Sequence, residues 1–236
     1  YLKFVRGNTM ALFTDSQVKW FLSLLLFFIA MLTVYLTWQN RWPIEQDLLK
    51  STFNVVSIMT GTGFASDNFQ IWGGFAMSLF FFVMVIGGCA GSTTCGIKIF
   101  RFQVLYAVAV VQIKRLIHPH GVFTPHYSNK PIPEGVPSSV MGFFFMFALC
   151  FALLAIALSF VGLDFLTAMS GAATAISNVG PGLGNIIGPA GTFQPLSDMA
   201  KWILCIVMIL GRLEIFTILE MFSPSFWTIS GISASA

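Results

Sequence analysis

The chain has 236 residues, of which 56% are hydrophobic and 9% charged, with a formal net charge of +3. Soluble domains carry roughly 25% charged residues, and the mean hydropathy here is +0.84. Such a chain has too little polar surface to face water, so a water-soluble globular domain is excluded and the bilayer is the natural solvent.

The chain opens at Tyr1 with no initiator Met and no signal-peptide pattern, which suits a portion of a longer protein. Residues 20–38 form an uncharged apolar run bracketed by Trp20 and Trp38. Nineteen residues of helix span about 30 Å of hydrocarbon, and interfacial Trp is expected at its ends. Residues 48–59 have a helical pattern but are too short to cross, so a re-entrant segment is expected. They run into Thr60, Gly61, Thr62, Gly63 and Phe64, where glycine permits unusual backbone angles. A second span begins at 71–86 and is broken by Gly87-Gly88-Cys89-Ala90-Gly91-Ser92-Thr93-Thr94-Cys95-Gly96. Helical pattern resumes through 112. Residues 113–137 carry five prolines and three histidines, and read as a solvent-exposed loop.

The plan then recurs: an apolar span at 138–163, a short helix at 164–177, the segment Asn178-Val179-Gly180-Pro181-Gly182-Leu183, and a last span at 197–222. Gly63 and Gly182 lie 119 residues apart and Gly87 and Gly211 lie 124 apart, and VMVIGG at 83–88 lies over VMILGR at 207–212. A near-constant offset argues for an internal repeat. Placing residues 1–19 on the cytoplasmic side puts Lys3, Arg6, Lys19, Lys98, Arg101, Lys114, Arg115 and Lys130 inside, against Arg41, Lys50 and Lys201 outside. The two glycine-rich segments then open outward.

Irregular backbone survives at membrane depth only where it is buried in protein or lines a cavity. Carbonyls turned into such a cavity can replace the hydration shell of a cation, and the negative C-terminal end of a short helix favours a cation at the same place. Ordinary re-entrant loops or helix caps are the competing reading, which two matching segments make less economical. Arg212 lies eleven residues beyond Lys201, about 16 Å along a helix and near mid-membrane, where an arginine costs about 2.5–3.5 kcal/mol on insertion scales. It is expected to face a water-filled cavity and repel cations, or to pair with a glutamate such as Glu214 or Glu220. The break at 87–96 reads as a movable loop, with a close helix contact as the alternative.

These segments resemble the Trk/Ktr/HKT superfamily of potassium transporters, closest to its bacterial Trk membrane subunits. The resemblance rests on Thr60–Phe64, on Gly87–Lys98, on Ser177–Gly184 and on Gly211-Arg212-Leu213-Glu214, and covers essentially the whole chain. It implies an all-α membrane protein of two membrane–pore–membrane repeats with re-entrant pore helices, these being the third and fourth repeats of a four-repeat pseudo-fourfold pore. The domain division would be 1–112, a cytoplasmic connector 113–137, and 138–236. The implied function is potassium uptake across the bacterial inner membrane, without enzymatic activity. The filter would be lined by carbonyls of Thr60, Gly61, Thr62 and Gly63 and of Asn178, Val179, Gly180, Pro181 and Gly182, with Gly63 and Gly182 as the selectivity glycines. Gly87, Gly88, Gly91, Ser92, Thr93, Thr94 and Gly96 match the family's gating loop, and Arg212 its electrostatic barrier. Implied partners are a second copy of the membrane subunit, a cytosolic nucleotide-binding RCK-type subunit and the lipid bilayer; the cofactor is the potassium ion alone, and no nucleic acid is expected. Cys95 stands where the family has glycine, and the first two repeats are expected in sequence outside this chain. A sodium-permeable or mixed-cation relative is the nearer alternative, and a membrane enzyme or scaffold the remote one.

Cys89, Cys95, Cys150 and Cys205 lie in or beside apolar segments and read as buried structural thiols. His118, His120 and His126 suit a solvated connector better than a metal site. The Phe triplets at 80–82 and 143–145 read as lipid-facing bulk.

Overall fold

The computed structural model describes residues 15–40, 42–128 and 130–213. The chain enters as helix α1 (Ser16–Trp38), capped by Asp15, whose carboxylate accepts from the Gln17 amide at 2.8 Å. Helix α2 (Ile44–Met59) starts four residues earlier than the hydrophobic pattern predicts. Pro43 supplies a fixed backbone angle there, and Glu45 and Asp47 in the first turn complement the helix dipole. At 16 residues α2 is about 24 Å long, short of a bilayer core. A 3₁₀ turn (Phe69–Trp72) and helix α3 (Gly74–Val85) follow, so the expected span over 71–86 is a turn plus a three-turn helix.

Helix α4 (Ile99–Ile117) outlasts its predicted end at 112. Lys114 and Arg115 stabilise its negative terminus, and Pro119 then disfavours helical backbone at His118. A two-residue ribbon, β1 (His126–Tyr127) with β2 (Lys130–Pro131), pairs antiparallel within the connector. Helix α5 (Gly135–Phe160) starts early because Pro137 is tolerated in a first turn. The connector is therefore 118–134 rather than 113–137. Helices α6 (Phe165–Ser177) and α7 (Asp198–Arg212) complete the described chain. The predicted end of the last span at 222 lies outside the described residues, as do Lys3, Arg6, Arg41, Glu214 and Glu220.

Helices α1 and α5 are long and apolar enough to cross a membrane. They carry exposed Leu26, Phe27 and Val34 and exposed Phe145, Leu153 and Ile156, as lipid-facing surfaces would. Two apolar cores lie behind them. One joins Leu32, Leu36, Val55, Ile58 and Met59 to Phe69, Trp72 and Phe80; the other joins Phe147 and Leu158 to Ala168, Ala172, Ile176, Ile187 and Leu204. Helix α6 is buried at every residue from Thr167 to Ser177 except Met169. Its Ala, Gly, Ser and Thr side chains let α3, α5 and α7 approach its backbone closely.

Two expectations are corrected by this packing. Each Phe triplet is split by the 100° step of the helix: Phe80 and Phe143 are buried, whereas Phe82 and Phe145 are exposed. None of the four cysteines is fully buried; Cys89, Cys95 and Cys150 are half-buried and Cys205 is exposed, all as free thiols. Among the described residues no three His, Cys, Asp or Glu side chains gather as metal ligands, and His126 Nδ1 lies 2.8 Å from the Thr124 carbonyl.

Asp164 caps α6, and the bonds from Thr167 hold its carboxyl below the usual carboxylate range. Asp164→Ala should cost about 1 kcal/mol of thermal stability at neutral pH. A folded-state pKa below the unfolded one means that the contribution is full above the ordinary carboxylate value and vanishes as pH falls through the depressed one. Melting curves of the two proteins in detergent should therefore converge in strong acid.

Candidate pore and gate

Helix α2 ends without leaving its axis abruptly. The Thr60 amide still donates to Val56 O at 2.9 Å, and the Thr60 hydroxyl reaches Val56 O at 2.7 Å. The Thr62 and Gly63 amides both turn back to Ser57 O, at 2.9 and 3.3 Å. Gly61 (φ +69°) and Gly63 (φ +78°) adopt left-handed backbone, while Thr62 between them does not. Alternating handedness takes these residues out of helix and sheet pairing.

The end of α6 repeats this pattern. The Val179 amide donates to Thr174 O at 3.0 Å, and the Gly180 amide to the Thr174 hydroxyl at 3.0 Å. Asn178 (φ +51°) and Gly180 (φ +120°) are left-handed, flanking Val179. Asn178 tolerates this backbone as few other residues do, and its side-chain amide donates to Met208 O of α7 at 2.9 Å. Thr62 thus corresponds to Val179 and Gly63 to Gly180, an offset of 117 rather than the 119 inferred by pairing Gly63 with Gly182. Gly182 is buried elsewhere: its amide donates to Ile187 O at 2.7 Å, and an added Cβ would strike the Ile187 side chain. Counting glycines in NVGPGLG cannot separate these positions; the hydrogen-bond pattern does.

The two segments touch. A Cβ on Gly63 would collide with the Val179 carbonyl, and one on Gly180 would sit 3.4 Å from the Gly63 Cα. Gln70 bridges the same two halves, donating from Nε2 to Gly184 O at 2.8 Å. Hydropathy gave no signal for that contact.

Beneath them lies the chain between α3 and α4, residues 86–98. It is a closed loop, pinned at its neck by Gly87 N to Ile97 O at 2.9 Å and Ile97 N to Val85 O at 3.0 Å. Gly87 and Gly88 pack against Cys95, Ser92 and Thr94 with no room for a side chain. Gly91 and Gly96 have positive φ, and Ser92 and Thr93 at the tip are exposed. Three contacts fix the loop from outside. The Ala90 amide donates to Gln17 Oε1 of α1 at 2.7 Å, the Thr94 hydroxyl to Thr60 O at 3.3 Å, and Arg212 Nη1 to Thr93 O at 2.7 Å. Arg212 also lies 3.8 Å from Cys95 Sγ.

Gly211 is what lets Arg212 arrive there. A Cβ at Gly211 would collide with Ile176 O, so only glycine allows α7 to cross the end of α6 at this distance. The predicted overlay of 83–88 on 207–212 fails in conformation, since α3 stops at Val85 while α7 stays helical to Arg212. A cavity of about 160 Å³ opens below the loop, lined by Thr93, Cys95, Lys98, Arg101, Phe143 and Arg212. Arg101, taken from sequence as one more cytoplasmic charge, is 9% exposed and lies with its guanidinium 3.6 Å over the Phe143 ring.

Gly63→Ala should distort this region, because it forces left-handed backbone on alanine, about 1–2 kcal/mol, and drives a methyl into Val179. Thr62→Ala, at an exposed position, should leave the melting temperature near that of the unmodified protein. Differential scanning fluorimetry of the two variants separates them.

The chain is similar to known proteins over most of its length. Residues 2–229 match the TrkH family model, described as a cation transport protein. The chain is 51% identical over 227 residues to the Trk system potassium uptake protein TrkI of Halomonas elongata, covering 96% of this chain and 46% of that protein. It is 35% identical to TrkH of Salmonella typhimurium, covering 90% of this chain and 44% of that one. The crystal structure of the potassium transporter TrkH from Vibrio parahaemolyticus superposes with a TM-score of 0.85 at 34% identity, over 92% of this chain and 46% of that one. The chain spans about half the length of the curated relatives it matches.

Proposed function

The chain belongs to the TrkH family of cation transport proteins, and from that premise we propose that it forms two of four repeats around a potassium-conducting pore in the bacterial inner membrane. The relatives named as potassium uptake proteins are about twice its length, which fits a ring completed by two further repeats. On this reading α1, α2 and the α3–α4 pair make one membrane–pore–membrane repeat, and α5, α6 and α7 the next. Helices α2 and α6 are then re-entrant, with their C-termini aimed at the ion.

One observation carries the proposal: two segments, Thr60–Gly63 and Asn178–Gly180, return their amides to equivalent residues, Ser57 and Thr174, and share alternating handedness while lying against each other. Pro181 and Gly182 continue the second segment. The amides of Thr62, Gly63, Val179 and Gly180 are taken up by the helix behind and that of Gly182 by Ile187 O, while Pro181 has none to place, which leaves carbonyl oxygens for a cation. Hydration-shell replacement by such carbonyls needs no covalent chemistry, and the cation is favoured further by the negative ends of two short helices. Potassium is the ion named for the relatives, and glycine at both Gly63 and Gly180 leaves the segments free of side chains that would intrude.

The loop at 86–98 acts as the gate in this reading. Thr94 holds it directly under the Thr60 carbonyl, and Arg212 binds its tip. Arg212 has two effects: its charge raises the barrier to a cation, and its bond to Thr93 O holds the loop in the path. The family resemblance adds a second copy of the membrane subunit and a cytosolic nucleotide-binding RCK-type subunit as partners, which would act on the loop through α4 and the connector.

Flux of potassium and sodium into liposomes holding the complete transporter tests the reading. Potassium should pass in preference, and Arg212→Ala should conduct faster, by about tenfold or more, since both the charge and the latch are lost. Equal passage of sodium would remove the selectivity claim. Absence of flux in folded, unmodified protein and in Arg212→Ala would remove the pore.

A further inference from the structure

The inner ends of the two glycine segments are continuous with α2 and α6, but their outer ends are held in different ways. At the 117-residue offset, Gly184 corresponds to Asp67 and Thr167 to Lys50. In the second segment these residues meet by bare proximity: a Cβ on Gly184 would come 2.8 Å from the Thr167 hydroxyl, and the Leu183 amide donates to the Ser170 hydroxyl at 2.8 Å. In the first segment the same place holds an ion pair. Lys50 Nζ lies 2.6 Å from Asp67 Oδ2, each side chain about a quarter exposed, at 26% and 24%. The Lys50 ammonium also sits 3.6 Å over the Trp42 ring, which fixes an otherwise flexible stem.

Asn54, one turn further along α2 and fully buried, joins the clamp. Its Nδ2 donates to the Ser66 hydroxyl at 2.8 Å and its Oδ1 accepts from the Ser66 amide at 3.2 Å. The Asp67 carboxylate accepts from the Asn68 amide at 2.7 Å. Burial raises the Asp67 pKa, but the Lys50 and Asn68 bonds outweigh it and hold the carboxyl below its ordinary value. Residues 60–65 are thus a short bridge with both ends tied to α2. Phe64 and Ala65 at the outer end are exposed and offer no packing of their own.

We propose that Lys50 and Asp67, with Asn54, are positioning residues for ion selectivity, a staple that fixes the outer end of the first filter segment. This rests on the filter reading above. Discrimination between two monovalent cations by carbonyls depends on where those carbonyls are held, and a constellation is only as exact as the shell supporting it. The first segment needs an ionic staple because its post-filter chain lacks the glycine that lets the second segment lie flat against its helix.

The test compares potassium and sodium flux in liposomes holding the complete transporter, unmodified and as Lys50→Gln, Asp67→Asn, Lys50→Arg and the exchange Lys50→Asp with Asp67→Lys. The single neutral variants should lower the potassium-to-sodium flux ratio by about tenfold, the worth of one charge-assisted bond, while total cation flux persists. Lys50→Arg keeps charge and ring contact and should retain the ratio, and the exchange should recover much of it. A staple serving folding alone would lower the melting temperature of the neutral variants without moving the ratio, and that result overturns the proposal. If the neutral variants fail to assemble, an exchange variant that assembles with no recovered selectivity overturns it equally. An unmodified protein that passes both ions alike removes the filter reading itself, and the staple's role with it; a selective unmodified protein with equally selective variants removes only the staple.

Discussion

The contact between Gly63 and the Val179–Gly180 backbone is the constraint on which the rest depends. Two chain segments that lie 117 residues apart approach so closely that Gly63 cannot carry a side chain, while Gly180 is held to glycine by its left-handed backbone. Backbone amides in such a contact must find partners, and each segment returns its amides to the helix it came from. That requirement explains the bonds to Ser57 O and Thr174 O, the left-handed residues at Gly61, Gly63, Asn178 and Gly180, and the burial of α6. It also explains why α6 is built from Ala, Ser, Thr and Gly, since bulkier residues would hold α3 and α7 away from the second segment.

The loop between α3 and α4 follows from the same geometry. A helix continuing from α3 into α4 would run past the segments and leave the space beneath them open. Glycines at 87, 88, 91 and 96 let the chain fold back instead, close its own neck between Val85, Gly87 and Ile97, and present Thr94 to Thr60 O. Arg212 reaches this loop only because Gly211 lets α7 graze the end of α6. Among the described residues the arginine finds a carbonyl and a thiol as neighbours.

The first segment is the less symmetrical of the two, and its supports show why. Lys50, Asn54, Trp42 and Asp67 converge on a few residues just beyond the glycines. The second segment dispenses with charge because Gly184 can lie against Thr167. The same function of holding a strand is met once by electrostatics and once by close packing.

The sequence by itself determined the membrane setting and where α1, α2 and α6 end, because these depend on local quantities: a run of apolar residues, a glycine, a proline. It also marked the glycine clusters at which the backbone leaves regular helix, at 60–63, 87–96 and 178–184. The tertiary structure alone decided the register. Choosing between Gly180 and Gly182 as the partner of Gly63 requires knowing which amide bonds back to α6. The Arg101–Phe143 stack, the Gln70 bridge and the Lys50–Asp67 staple were equally out of reach, because each joins residues whose proximity is set by how helices pack rather than by their spacing along the chain. Even the Phe triplets divided between core and surface only when the neighbours of α3 and α5 were fixed.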